Sequence, residues 1–189
     1  WERGRKHRHR GRMDAPGEGP WGEKVANMLH ASLNPVEMAL FRPPARPSYG
    51  VGAWPGDLLV LNGEVCLALT HPQGASHVVL FAHGTSTDVG GSRRLMELMR
   101  EVLGAHVVGV EYPGYGLHKG VKPTRSSVDA AVEAVFLHLR DELGWASDRI
   151  VLVGRSVGSG PCLRLLSRGH RAGVVVLLSP FRSESAVAE

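Results

Sequence analysis

The sequence predicts an α/β fold with a mostly parallel sheet that opens on an antiparallel N-terminal hairpin. Three observations carry this. Short β-branched runs alternate with stretches of helical apolar spacing from about residue 77 onward. Two strand-like runs ahead of them are joined by Asn62-Gly63, a strong hairpin signal. Gly154-Arg155-Ser156-Val157-Gly158 fits G-x-S-x-G at the end of a strand-like run, where a chain turning sharply into a helix holds a serine on the corner.

The chain has 189 residues, 43% of them hydrophobic, enough for one sizeable domain with a true core. No apolar run approaches the roughly 20 residues that span a bilayer. The formal charge of +4 is unevenly placed: Arg3, Arg5, Lys6, Arg8, Arg10 and Arg12 stand against Glu2 alone, and the rest is slightly acidic. The body therefore shows no nucleic-acid signature, and no nucleic-acid partner is expected. Cys66 and Cys162 form no redox or metal spacing, so both are expected in the core and a reducing, cytoplasmic compartment is the default.

Residues 1–20, rich in Arg, Gly and Pro, are expected to be a disordered basic tail. Residues 21–56 read as an N-terminal helix interrupted at Pro35, followed by a proline-stiffened segment with Phe41 and Tyr49 tucked against the domain. From 57 to 189 the sheet domain follows. Asp57 to Leu61 and Glu64 to Thr70 form the hairpin, and His77 to Ala82 is a nearly continuous apolar strand. Ser92 to Leu103 has helical spacing closed by Gly104. Ala105 to Tyr112 is a strand, and Ser127 to Leu143 is a helix capped by Ser126 or Ser127. Ile150 to Val153 leads into the serine turn and its helix, and Gly173 to Leu178 is the sixth strand.

In an open α/β sheet, ligands bind outside the carboxyl ends of the strands. His83 to Gly91, Tyr112 to Gly120 and the serine turn are expected there. Gly154 and Gly158 flank a strained position that leaves no room for side chains two residues either side of Ser156.

With Phe41-Arg-Pro-Pro44 and Tyr49, Val79 to Gly90, Glu111-Tyr-Pro-Gly-Tyr-Gly116, the serine turn and Leu178-Ser-Pro-Phe181 in order, the chain resembles the α/β-hydrolase superfamily over about residues 36–189. More narrowly it resembles the α/β-hydrolase domain-containing protein 17 family of depalmitoylating serine hydrolases. The resemblance implies that Ser156 is the nucleophile and that Val157 and Thr85 supply backbone N–H groups to the oxyanion. His83 and Gly84 then shape the loop, and Glu111 to Gly116 either forms a wall of the acyl pocket, with Tyr112 or Tyr115 packing there, or packs as a tight turn. Thr85 stands where such families often have Asn, so the backbone and not the side chain would be the donor. The implied substrate is an acyl ester or thioester, a lipidated protein among the candidates, with neither metal nor organic cofactor.

The family's acid and histidine follow its seventh and eighth strands, and about six of eight strands are expected here. The chain is thus expected to be C-terminally incomplete, without the base and the acid. His170 would lie about 18 Å away along the helix, at ~1.5 Å per residue, on the opposite rim. His118 lies on the correct rim in the wrong chain order. Glu184 is a weak candidate acid, and the edge of the sixth strand is expected to be unpaired. The depalmitoylases also carry an N-terminal cysteine cluster, and residues 1–40 contain no cysteine, which does not support membrane anchoring. The alternatives are a non-catalytic α/β-hydrolase-like binding module and a serine peptidase of the same fold.

Overall fold

The computed structural model describes residues 40–54 and 57–180, all within one compact unit, Asn34–Glu189. The expected basic tail, nearly all of the N-terminal helix and the candidate acid Glu184 lie outside the described residues.

Six strands form one sheet: β1 (Leu58–Leu61), β2 (Glu64–Leu69), β3 (Val78–Ala82), β4 (His106–Val110), β5 (Ile150–Arg155) and β6 (Val174–Leu178). Their order is β1-β2-β4-β3-β5-β6. The β1–β2 and β2–β4 pairs are antiparallel, and the remaining pairs are parallel. Asn62 and Gly63 both take positive φ, 50° and 86°. That is the twist a two-residue hairpin requires.

β3, at the centre, reads Val-Val-Leu-Phe-Ala and is buried along its whole length. Because side chains alternate across a sheet, Val78, Leu80 and Ala82 face one layer and Val79 and Phe81 the other. The first layer is α2 (Arg125–Leu137) and α3 (Ser159–Ser167), which supply Val128, Val132, Val135, Cys162 and Leu165. The second is α1 (Val89–Leu103), with Val89, Met96 and Met99. The proline-stiffened segment contributes to both: Leu40 and Phe41 join the α2/α3 layer and Tyr49 joins the α1 layer.

Two helix starts differ from expectation. α1 begins at Val89, because the Asp88 side chain accepts from Gly91 N–H and caps it, so Gly90 and Gly91 are helical. α2 begins at Arg125 with Thr124, not Ser126 or Ser127, as its cap; Ser127 returns the bond to Thr124 N–H to complete a capping box. It ends at Leu137 and continues as a π-helical turn, His138–Glu142. Cys66 and Cys162 are both free and buried. Burial pushes the Cys162 thiol up to about 12 and moves Cys66 in the same direction. Among the described residues no helix is long and apolar enough to cross a membrane. Among the same residues β6 has one sheet neighbour, β5, and it leaves Val174 and Val176 exposed.

Candidate active site

β5 runs straight into a single 3-10 turn, Ser156–Gly158, and then α3. Ser156 sits at the junction with φ 51°, in the left-handed region that a residue with a Cβ adopts only under constraint. The constraint is visible at the flanking glycines. A Cβ on Gly154 would lie 2.5 Å from the Gly158 oxygen and 2.8 Å from Ser159 Cα. One on Gly158 would lie 2.7 Å from the His83 oxygen and closer still to Ala82 at the end of β3. Gly158 itself has an ordinary φ of −63°, so its requirement is space and not backbone freedom.

The loop after β3 passes directly beside this turn. A Cβ built on Gly84 would be 3.8 Å from both Ser156 Cβ and the Arg155 oxygen. The structure therefore brings Gly84, Thr85, Ser156 and Val157 to one place at the carboxyl ends of β3 and β5. Thr85 Oγ1 donates to the Leu40 oxygen and accepts from Arg42 N–H at 3.0 Å. Its side chain is thus committed to the N-terminal segment.

His83 is fully buried, with its ring against the residues that follow β4. Nε2 lies 3.1 Å from Glu111 Oε1, Nδ1 lies 2.9 Å from the Gly84 oxygen, and the ring stacks on Tyr112 with centroids 3.9 Å apart. Glu111 Oε2 accepts from Tyr49 OH at 2.7 Å and from Val89 N–H at 3.3 Å. Sequence reasoning gave Glu111 no role of its own. A signal was present: Ala82 pairs with Val110 in the parallel register, so a histidine and a glutamate follow at equivalent ends of neighbouring strands.

Tyr112 and Tyr115 both pack the turn that follows β4. Both side chains are fully buried. Tyr112 OH donates to the His83 oxygen at 2.8 Å and Tyr115 OH to the Thr85 oxygen at 3.0 Å. Burial pushes the Tyr115 hydroxyl up to about 12 and Tyr112 well above its ordinary value, so both are donors at neutral pH. A cavity of about 110 Å³ beside the serine turn is lined by Leu40, Phe41, Val128, Val157 and Pro161 together with the charged Arg125, Asp129 and Arg164.

Neither remaining histidine of interest is placed at Ser156. His118 Nδ1 lies 3.5 Å from Glu64 Oε2 at the start of β2, which β4 and β3 separate from β5. His170 Nε2 pairs with Glu133 of α2 at 2.8 Å, beyond the far end of α3. Among the described residues no group of three or more His, Cys, Asp or Glu side chains is arranged to hold a metal ion.

No protein-family model matches the chain. Among curated proteins it is 29% identical over 127 residues to α/β-hydrolase domain-containing protein 17B of Homo sapiens, covering 67% of this chain and 43% of that protein. It is 31% identical to α/β-hydrolase domain-containing protein 17C of Xenopus tropicalis, covering 65% of this chain and 39% of the relative. With α/β-hydrolase domain-containing protein aho-3 of Caenorhabditis elegans it shares 34% identity over 128 residues, 67% of this chain and 38% of the relative. The chain thus spans about two fifths of the length of these relatives. Among solved structures, TT1662 from Thermus thermophilus superposes with a TM-score of 0.56 at 20% identity, over 65% of this chain and 55% of that one. An esterase of the bacterial hormone-sensitive lipase family gives 0.56 at 19% identity, over 84% and 57%. The fold is the α/β-hydrolase fold, with six strands among the described residues.

Proposed function

We propose, on the premise that this chain is a relative of the α/β-hydrolase domain-containing proteins 17, that it carries the nucleophile of a serine hydrolase acting on acyl esters or thioesters. One observation carries the reading: Ser156 is held in a left-handed conformation between two sterically required glycines, against the loop after β3. In this reading Ser156 Oγ attacks the acyl carbonyl and gives up its proton to a base. The negative charge collects on the carbonyl oxygen, where the N–H groups of Val157 and Thr85 stabilise it. Collapse of that intermediate expels the alcohol or thiol and leaves an acyl-enzyme, which water hydrolyses. The base is assigned to none of the described histidines, because His118 and His170 are engaged elsewhere and the His83 ring faces Glu111. A palmitoylated protein is one substrate within this class, and the two buried free thiols suit a reducing compartment such as the cytoplasm.

The test is labelling of the full-length product of the encoding gene with a fluorophosphonate probe, beside Ser156→Ala. Labelling that Ser156→Ala abolishes is expected. Equal labelling of both proteins, or none of a folded wild type, overturns the reading. The second outcome would favour a non-catalytic binding module.

A further inference from the structure

We propose that His83 and Glu111 are positioning residues for the oxyanion donor, acting through the peptide group that joins Gly84 to Thr85. This rests on the reading of Ser156 as nucleophile.

Three successive carbonyls of the loop each receive a side-chain hydrogen bond. Tyr112 donates to the His83 oxygen, His83 Nδ1 to the Gly84 oxygen and Tyr115 to the Thr85 oxygen. The middle bond differs from its neighbours in what lies on the other side of its peptide. In a trans peptide the C=O and N–H point in opposite directions. Holding the Gly84 oxygen therefore aims the Thr85 N–H away from the His83 ring. The same segment runs beside Ser156, whose Cβ would be in van der Waals contact with a Cβ added at Gly84. Gly84 has no Cβ to restrict rotation of this peptide, so the side-chain contact supplies the restriction.

A carbonyl oxygen carries no proton, so Nδ1 must be the donor in its 2.9 Å contact. With Nδ1 donating, the 3.1 Å contact of Nε2 with Glu111 Oε1 holds one further proton, carried by either partner, and this contact fixes the plane of the ring. Glu111 is held in turn by Tyr49 OH and Val89 N–H. A bond donated to a carbonyl polarises its amide and strengthens donation from the N–H on the far side. The chain Glu111–His83–Gly84 C=O–Thr85 N–H thus both orients and strengthens the donor that negative charge would meet. Tyr112 and Tyr115 support the loop without acting on this peptide's carbonyl.

The experiment measures stopped-flow acylation by p-nitrophenyl acetate and KM for the full-length protein, with thermal unfolding of every variant. His83→Phe keeps an aromatic ring against Tyr112 and removes both donors. It is expected to slow acylation by on the order of 10²-fold with KM little changed. Glu111→Gln is expected to slow it by about tenfold. Tyr112→Phe removes an equally buried bond one peptide away, and acylation should stay within about threefold of wild type even as Tm falls. If His83→Phe acylates as fast as Tyr112→Phe, the inference is overturned and His83 is a packing residue. Should His83→Phe not fold, Glu111→Gln against Tyr112→Phe makes the same comparison, and parity refutes it equally. Wild-type acylation that persists unchanged in Ser156→Ala overturns the nucleophile reading instead, which separates the two failures.

Discussion

Replacing Gly158 by alanine tests the geometry on which the whole site depends. Gly158 has an ordinary helical φ of −63°, so alanine meets no conformational obstacle there. The obstacle is space. The new Cβ would lie 2.6 Å from the Ala82 carbon and 2.7 Å from the His83 oxygen, with the Ala82 oxygen nearer still. Real Cβ contacts essentially never fall below 3.0 Å, and every neighbour here is backbone. The serine turn and the end of β3 must therefore separate by several tenths of an ångström at the centre of the sheet. Overpacking of this kind costs ~1–3 kcal/mol, and with backbone on both sides we expect about 3. For a chain of this size that corresponds to a fall in Tm of roughly 6–12 °C. Gly160→Ala is the internal control. It lies two residues on in α3, with nothing within 4 Å of the added Cβ, and should stabilise by ~0.5–1 kcal/mol through helix propensity. Urea and thermal unfolding of the two variants beside wild type would measure both. A Gly158→Ala protein within about 0.5 kcal/mol of wild type would refute the close approach of the serine turn to β3.

Two further outcomes follow from the same structure. Because Ser156 sits at φ 51°, Ser156→Gly should be more stable than Ser156→Ala by about 0.5–1 kcal/mol, the left-handed penalty less the entropy of glycine; equal thermal midpoints would show that the turn is unstrained. Asp88 caps α1 and accepts from Ser48 N–H and Ser48 OH as well as Gly91 N–H. Burial pushes its carboxyl up, but these bonds outweigh burial and hold it below its ordinary value. A depressed acid contributes stability that is present above the unfolded value of about 3.9 and is lost as pH falls through the folded one. Asp88→Asn should cost about 1–2 kcal/mol at pH 7 and flatten the loss of stability below about pH 4; identical acid profiles in urea titrations would remove Asp88 from that role.

The sheet was legible because its strands announce themselves twice, by β-branched runs and by the punctuation between them. All six lie within two residues of where those runs place them. The helix starts were less legible, since a cap is a matter of geometry among neighbouring polar residues. Thr124, Ser126 and Ser127 offer three hydroxyls within four residues, and only the closed exchange between Thr124 and Ser127 selects the first. Gly90 and Gly91 read as loop because two glycines disfavour a helix. In the structure Gly90 is required for a different reason: a Cβ there would strike Ser48 and Tyr49 of the N-terminal segment, at 2.5 and 2.6 Å.

Glu111 was legible only as the first residue of the Glu111 to Gly116 stretch, and its buried role was not. A glutamate closing an apolar strand looks like the strand's solvent end, and nothing within a few residues of it suggests otherwise. Its partners come from three distant places: Tyr49 from the N-terminal segment, Val89 from the start of α1 and His83 from the end of β3. Gly116 completes the enclosure, since a Cβ there would meet the Glu111 carboxylate and would lie 2.7 Å from Tyr49 OH. A buried carboxylate is tolerated only where donors surround it, so the segment before the sheet is part of the site. Phe41 and Leu40 cover the α2/α3 face beside Val157, while Tyr49 crosses to the other face to reach Glu111. One short proline-stiffened stretch therefore lies beside the serine turn on one side and reaches the support of the loop after β3 on the other. The coupling between the two lies in long-range contacts, which local patterning in a single sequence does not encode.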